Sequence, residues 1–438
     1  MEKYKLKFIK NITLILLCMT TILITACDNT NFRYLISDSA IETIKGSEAV
    51  TTDTANGNAA STTAKATNPN TAKDTTTTAK GQTTQKPTTT YPPVTTNLNE
   101  TVYNLSPAQK TAYIQILNGL NNFKSPIPIT CDITLSEFEP VFIAIKGNEF
   151  KYPQMSNSIT TYYDENSKKV SSVKIDYLCN AAQTQALNAE LEARVSQILG
   201  GITSDMNEFD KIKYIHDTII KNCTYDENAT NAYSAYGALV EGRAVCEGYS
   251  KAMAMLCNRI GIECVIVTGK GGNQEHMWNM LKYNGNWYHM DVTWDDPVGV
   301  SDEDYVGYAF FNLTTAQIKV DHSIDYDAPY SVPVATATEG NYYIYTKTFA
   351  RSYVEAADII KNEAIRINAS KGTLITIKVD SSVYDSVYNK LFNERDTNGY
   401  TNISSIFYAV NTKLSNKATP VSCFPKDSSC IISINLRY

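Results

Sequence analysis

The sequence predicts an α+β protein with three folded parts behind a targeting segment and a leash. Three observations carry that reading. Apolar stripes at helical spacing follow capping signals at Ser106-Pro107-Ala108-Gln109 and recur over 181–199 and from Ser204. A cysteine at a turn, Gly242-Arg243-Ala244-Val245-Cys246, opens another such helix, with Val245, Met253, Leu256 and Ile260 on one side. Two strand-like runs, 276–283 and 286–293, flank Asn284-Gly285, the strongest short hairpin signal.

Composition sets the bounds. Of the 438 residues 43% are hydrophobic and 10% aromatic, enough for a sizeable core. The formal net charge of −6 offers no basic footprint, so nucleic acid is not an expected partner. Residues 1–27 read as an export signal: Lys3, Lys5, Lys7 and Lys10 precede an apolar run over 12–23 that is short for a membrane span. Ile24-Thr25-Ala26-Cys27 resembles a bacterial lipobox, which implies lipidation of Cys27 and a location on the extracellular face of the bacterial cell membrane. Residues 28–98 are a Thr-rich linker with almost no large apolar side chains in its later part, so it is expected to stay disordered. A coil of roughly 70 residues spans about 45 Å on average. Eight cysteines remain beyond the leader, too irregularly spaced for a disulfide framework; Cys423 and Cys430 read as one local pair.

The folded parts follow in order. Residues 99–200 read as a small α/β domain: the helix after Ser106, a second helix opened by Ser136 and Glu139, a hairpin of 158–163 with 170–178, and a long helix from 181 to 199 stopped by Gly200-Gly201. The central part, 201–330, begins with a helix from Ser204 whose stripe is Phe209, Ile212, Ile215 and Ile219. His216 lies between these apolar positions and reads as a packed residue. A short helix over 231–240 leads to the Cys246 turn. A Val- and Ile-rich strand, 263–268, is followed by a Gly-rich loop, 269–275, that fits no phosphate-binding pattern. Beyond 335, strand 342–346, helix 351–365, strand 373–379, helix 381–394 and a β-rich end predict a C-terminal α/β accessory domain.

The chemistry gathers in the hairpin. With a two-residue turn, paired positions place His276, Trp278, Met280, His289, Asp291 and Thr293 on one face. His276 and Asp291 are then diagonal neighbours roughly 7–8 Å apart, within reach of a side-chain hydrogen bond. His289 shares the face and is the rival base, but it sits mid-strand, whereas His276 opens its strand beside the loop. A thiol in a first helical turn faces unpaired N–H groups and the positive dipole end. Cysteine, base and carboxylate are the parts of a nucleophilic site.

The segments 242–250, 276–279 and 287–297 resemble, in order and spacing, the three motif blocks of the transglutaminase-like superfamily. The similarity covers about 200–325, including Phe311-Asn312-Leu313 and Asp321-His322. It implies a papain-like core, with the Cys helix packed against the sheet face that carries His276 and Asp291, and assigns Cys246 as nucleophile, His276 as base and Asp291 as the residue that orients it. His289 is then structural. Met277 stands where members often carry Ala. The Cys246 backbone N–H and the Tyr225 hydroxyl are the oxyanion donors considered, with core packing as the rival role for Tyr225; Trp278 and Trp294 are expected to wall the pocket.

The expected activity is thiol acyl transfer on amide bonds of proteins or peptides through a thioacyl intermediate, ending in hydrolysis or transamidation. Cell-wall peptide is one candidate substrate, and the membrane is a partner through the lipid anchor. The competing reading is a cell-wall or protein-binding module on the same scaffold without turnover. The acid-rich run Asp295, Asp296, Asp302, Glu303, Asp304 matches no EF-hand loop. It reads as solvated, so no metal or cofactor is expected.

Overall fold

A computed structural model describes residues 103–148, 155–296, 306–325, 331–423 and 429–438, without the side chains of 156–158 and 422–423. The export signal with Cys27, the linker, Asp302, Glu303, Asp304 and the Cys423–Cys430 pairing lie outside the described residues.

Helix α1 (Pro107–Asn121) opens on the expected capping box, Ser106 and Gln109 exchanging bonds of 2.8 and 3.3 Å. Helix α2 (Leu135–Asn148) starts earlier than expected. Two overlapping S/T-x-x-E frames compete here. The earlier one holds, because the backbone N–H and hydroxyl of Thr134 both donate to Glu137 Oε2, at 2.8 and 2.7 Å. Strands β1 (Ile127–Pro128), β2 (Met155–Tyr163) and β3 (Val170–Tyr177) form an antiparallel sheet with β3 central. Asp164 Oδ1 closes the hairpin by accepting from the N–H groups of Asn166 and Ser167. Helix α3 (Ala181–Leu199) is capped by Asn180 and ends at Gly200.

Helix α4 (Glu208–Asn222) begins after Asn207, not at Ser204, because Asn207 and Asp210 form the capping box. Its predicted stripe is buried. The helix expected over 231–240 reduces to a π-turn, Gly237–Glu241, ended by Gly242 at φ 69°. Strands β4 (Thr224–Tyr225) and β5 (Arg243–Ala244) pair in parallel and deliver the chain into α5 (Cys246–Arg259).

The central sheet has the order β8-β7-β6-β9, from β6 (Cys264–Gly271), β7 (Gln274–Tyr283), β8 (Asn286–Met290) and β9 (His322–Ile324). Its β7–β8 register is the one the Asn284-Gly285 turn dictates, with Tyr283 opposite Asn286 and Met280 opposite His289. Pairing ends at Asn279 and Met290, so Asp291 lies just past the strand. The expected loop over 269–275 is instead strand, turn and strand. β6 continues to Gly271, which pairs with Gln274, and Gly272 takes the left-handed turn conformation at φ 60°.

The two faces of this sheet are covered from different parts of the chain. Ile266, Met277, Leu281 and Met290 pack against Tyr249, Met253 and Leu256 of α5. Val265, Val267, Trp278 and Met280 join Ile116, Phe138, Phe142 and Ile145 of α1 and α2. The helix was expected on the His276 face and lies on the other. Apolar side chains from α1 and α2 occupy the Trp278 face, which leaves the Met277 face for α5.

The C-terminal elements α6 (Tyr353–Asn368), α7 (Tyr384–Phe392) and α8 (Asn402–Val410) share a core with a sheet ordered β10-β11-β13-β12. These strands are β10 (Phe349–Ala350), β11 (Leu374–Val379), β12 (Thr419–Cys423) and β13 (Ile431–Arg437). The strand expected over 342–346 is a helical turn, Tyr342–Tyr345. Asn341 Oδ1 caps it by accepting from the Tyr343 N–H at 3.2 Å, which outweighs the β preference of the tyrosines.

Candidate active site

Cys246 is the first helical residue of α5, after an extended Val245 (φ −102°, ψ 178°), and is half-buried. One turn on, Ser250 Oγ donates to the Met277 carbonyl at 3.0 Å, and Asn279 Nδ2 donates to the Ser250 carbonyl at 2.9 Å. These bonds tie the opening turn of α5 to the start of β7, next to His276. Cys246 is a hydrogen-bond and charge partner of the His276 ring.

The same ring meets the carboxylate. His276 Nε2 lies 2.6 Å from Asp291 Oδ2, and Asp291 Oδ1 accepts from the backbone N–H groups of Thr293 and Trp294 at 3.0 and 3.1 Å. A carboxylate only accepts, so Nε2 carries a proton and Nδ1 is the ring atom left for the thiol. Burial works against charge on His276. The bond and charge of Asp291, with those of Cys246, outweigh it and push the ring up to about 10. Asp291 is buried too, yet the bonds and charges of His276 and His322 hold it well below the usual carboxylate range.

Glycines make room for these rings. On β6, Gly269 pairs with His276, and Gly271 pairs with His322 of β9. A Cβ at Gly271 would stand 2.7 Å from Trp294 and 3.1 Å from His276. Gly271→Ala is expected to cost about 1 kcal/mol, since half-exposed Trp294 can give way. The same change should slow Cys246 alkylation several-fold by displacing His276. Thiol-labelling rates beside a denaturant melt check this, and a wild-type rate refutes it.

Two features carry no role in the sequence reading, although Asp321-His322 falls within the resemblance. His322 bonds Asp291 Oδ2 through Nε2 at 3.0 Å and Asp321 Oδ1 through Nδ1 at 2.6 Å. The β6–β9 pairing that brings it there spans some fifty residues, with no local signal. The second is a buried ion cluster around Glu247, the residue after Cys246. Glu247 Oε2 meets Lys146 Nζ of α2 at 3.0 Å, and Oε1 meets Lys251 Nζ at 2.7 Å. Burial opposes the Glu247 charge, but both lysines hold its carboxyl below the usual range.

The remaining sequence candidates resolve as follows. His289 is buried and held down to about 3 by burial and by the charges of His322 and Lys319. Neutral, its Nδ1 accepts from the Trp278 indole N–H at 3.0 Å, a packing role. Trp278 is 0% exposed, so it backs the His276 ring at 6.0 Å rather than walling an open pocket. Trp294, 38% exposed, stands against both His276 and His322. Tyr225 lies on β4 opposite Ala244, two residues before the cysteine, and packs against the core. His216 is buried between Asp217 (3.0 Å) and Asp295 (3.1 Å). Asp295 is therefore not solvated as expected, and Asp296 accepts from the Tyr249 hydroxyl at 2.5 Å. Among the described residues, one group of side chains is compact enough for a metal ion: His276, Asp291 and His322, with ligand atoms within 4.8 Å. Here those atoms are engaged in hydrogen bonds with one another.

A family model described as the transglutaminase-like superfamily matches residues 193–292, the stretch that supplies α5, the β6–β7–β8 sheet, Cys246, His276 and Asp291. The chain carries a transglutaminase-like domain. Kyphoscoliosis peptidase of Mus musculus is 26% identical to it over 132 residues, covering 24% of this chain and 20% of that protein. The chain thus spans about a fifth of the length of the curated relative it matches. Among solved structures, a TGase overlaps at a TM-score of 0.23 with 13% identity, covering 40% of this chain and 50% of that one. Menin overlaps at 0.21 with 16% identity, covering 53% and 52%. The family assignment rests on the sequence match. Lys146 and His322 both lie outside 193–292, so the transglutaminase-like domain is completed here by flanking residues.

Proposed function

We propose that this chain is a cysteine-dependent acyl-transfer enzyme acting on amide bonds of proteins or peptides. In this reading Cys246 is the nucleophile, His276 the general base and acid, and Asp291 the residue that fixes the imidazole tautomer. The observation that carries it is the 2.6 Å bond between His276 Nε2 and Asp291, in a ring that also has Cys246 as a partner.

The chemistry runs in two halves. His276 Nδ1 takes the thiol proton, and the Cys246 thiolate adds to the amide carbon, moving charge onto the carbonyl oxygen. N–H donors at the start of α5 are available to that oxyanion, and the hydroxyl of Tyr225, whose strand pairs beside Ala244, is a further candidate. As the C–N bond breaks, His276 returns its proton to the leaving amine, and a thioacyl enzyme remains. Water or a primary amine then attacks, again losing a proton to His276, and the thiol is released.

The enzyme is further proposed to work at the extracellular face of a bacterial cell membrane, held by lipid on Cys27. The Lys-rich, apolar opening of the chain and the Ile24-Thr25-Ala26-Cys27 box support this. Among the described residues, no helix is long and apolar enough to cross a membrane.

The test is to incubate the chain with a peptide library, with and without an added primary amine, and weigh the products. Cleaved or deamidated peptides, or amine adducts, are expected, all lost in Cys246→Ala. Products that persist in Cys246→Ala would refute the assignment. No product in either arm from a folded chain would favour the binding-module reading.

A further inference from the structure

The site contains one charged group that the reaction just described does not use. His322 reaches Asp291 from β9, which pairs with β6 on the side away from β7. Its Nε2 is 3.0 Å from Asp291 Oδ2, the oxygen that His276 Nε2 also meets. Its Nδ1 is 2.6 Å from Asp321 Oδ1. A ring with a carboxylate oxygen on each nitrogen donates from both, and an imidazole that donates from both is a cation.

We propose that His322 is a positioning residue: a second imidazolium that fixes Asp291 under His276 and restrains how tightly His276 holds its proton. The inference rests on Cys246, His276 and Asp291 forming a working triad.

The physical argument concerns one carboxylate serving two cations. With His276 as its only cationic partner, buried Asp291 would give its full ionic attraction to the protonated base. Such a base accepts the thiol proton readily but surrenders it poorly when the amine leaves. A second cation on the same oxygen divides that attraction, and its ring stands 5.4 Å from that of His276, adding direct repulsion. The titratable groups around His322 are His276 from β7, His289 from β8, Asp291 after β8 and its own neighbour Asp321. Rings of Trp278, Trp294 and Phe310 enclose it. Both of its own carboxylate bonds favour charge on His322, against burial and His276.

The test uses the full chain and the pH dependence of Cys246 alkylation by iodoacetate. Because the reagent is an anion, its rate falls as the His276 imidazolium is lost. His322→Gln keeps an amide donor and removes the charge. Its falling limb is expected to move to higher pH, a roughly tenfold tighter hold on the proton. A limb that stays in place overturns the inference. If the unaltered chain shows no such limb, or His276→Ala leaves it intact, the triad reading itself has failed.

Should His322 variants not fold, nitrogen NMR of labelled histidines in the unaltered chain decides. Both ring N–H signals of His322 are expected to persist at pH 8. A single N–H there overturns the inference.

Discussion

Replacing His276 with alanine is expected to slow alkylation of Cys246 by iodoacetamide at pH 6 by about a hundredfold or more. The thiolate is the reactive form, and at that pH it depends on an adjacent cation. His276 supplies that cation because Asp291 pushes the ring up to about 10, so it stays protonated well beyond neutrality. Asp291→Asn should fall in the same direction: it keeps an acceptor, loses the charge and lets a neutral amide choose the wrong tautomer. Half-buried Cys131 and Cys179 serve as internal references: burial pushes the Cys131 thiol up, and Cys179 meets the Thr184 hydroxyl at 3.1 Å rather than a cation. Mass-mapped labelling reads all three at once. A Cys246 no faster than Cys131, or unaffected by loss of His276, would remove the basis for a catalytic site.

Lys146→Met is expected to destabilise the fold by about 3 kcal/mol, at the low end of the cost of breaking a buried ion pair. The low end applies because Glu247 keeps Lys251 at 2.7 Å, so its charge stays paired with one lysine rather than stranded. A second variant separates charge from volume. Replacing Lys146 and Lys251 by Met and Glu247 by Leu together removes all three charges and should recover much of the loss. Denaturant melts of the three proteins give the comparison. A single variant as stable as the parent would mean that the lysine charge contributes nothing there.

The parts of the fold written in local chemistry were legible beforehand. The Ser106–Gln109 box, the α3 stop at Gly200 and the β7–β8 register each depend on residues within a few positions of one another. That register brings His276 and Asp291 to the same end of the hairpin, although pairing stops at Asn279 and Met290 and Asp291 meets the ring from just past β8. What was hidden depends on distant pairing. The choice of sheet face for α5 is made by α1 and α2, more than a hundred residues upstream. His322 arrives through a strand pairing with no turn to announce it, and Lys146 crosses 101 positions to Glu247. Gly269 and Gly271 looked like loop residues because their use is to leave space, and the rings filling that space come from elsewhere. Asp295 looked solvated because its partner, His216, lies 79 positions earlier.

The shared covering of the central sheet has a practical corollary. A fragment trimmed to the limits of family similarity, 193–292, would keep Cys246, His276 and Asp291. It would also bare the Val265–Val267–Trp278–Met280 surface to water and leave Glu247 with one of its two lysines. A sticky, weakly held remnant of that kind would report on its own cut surfaces. A fragment meant to test the proposed activity therefore begins no later than α1.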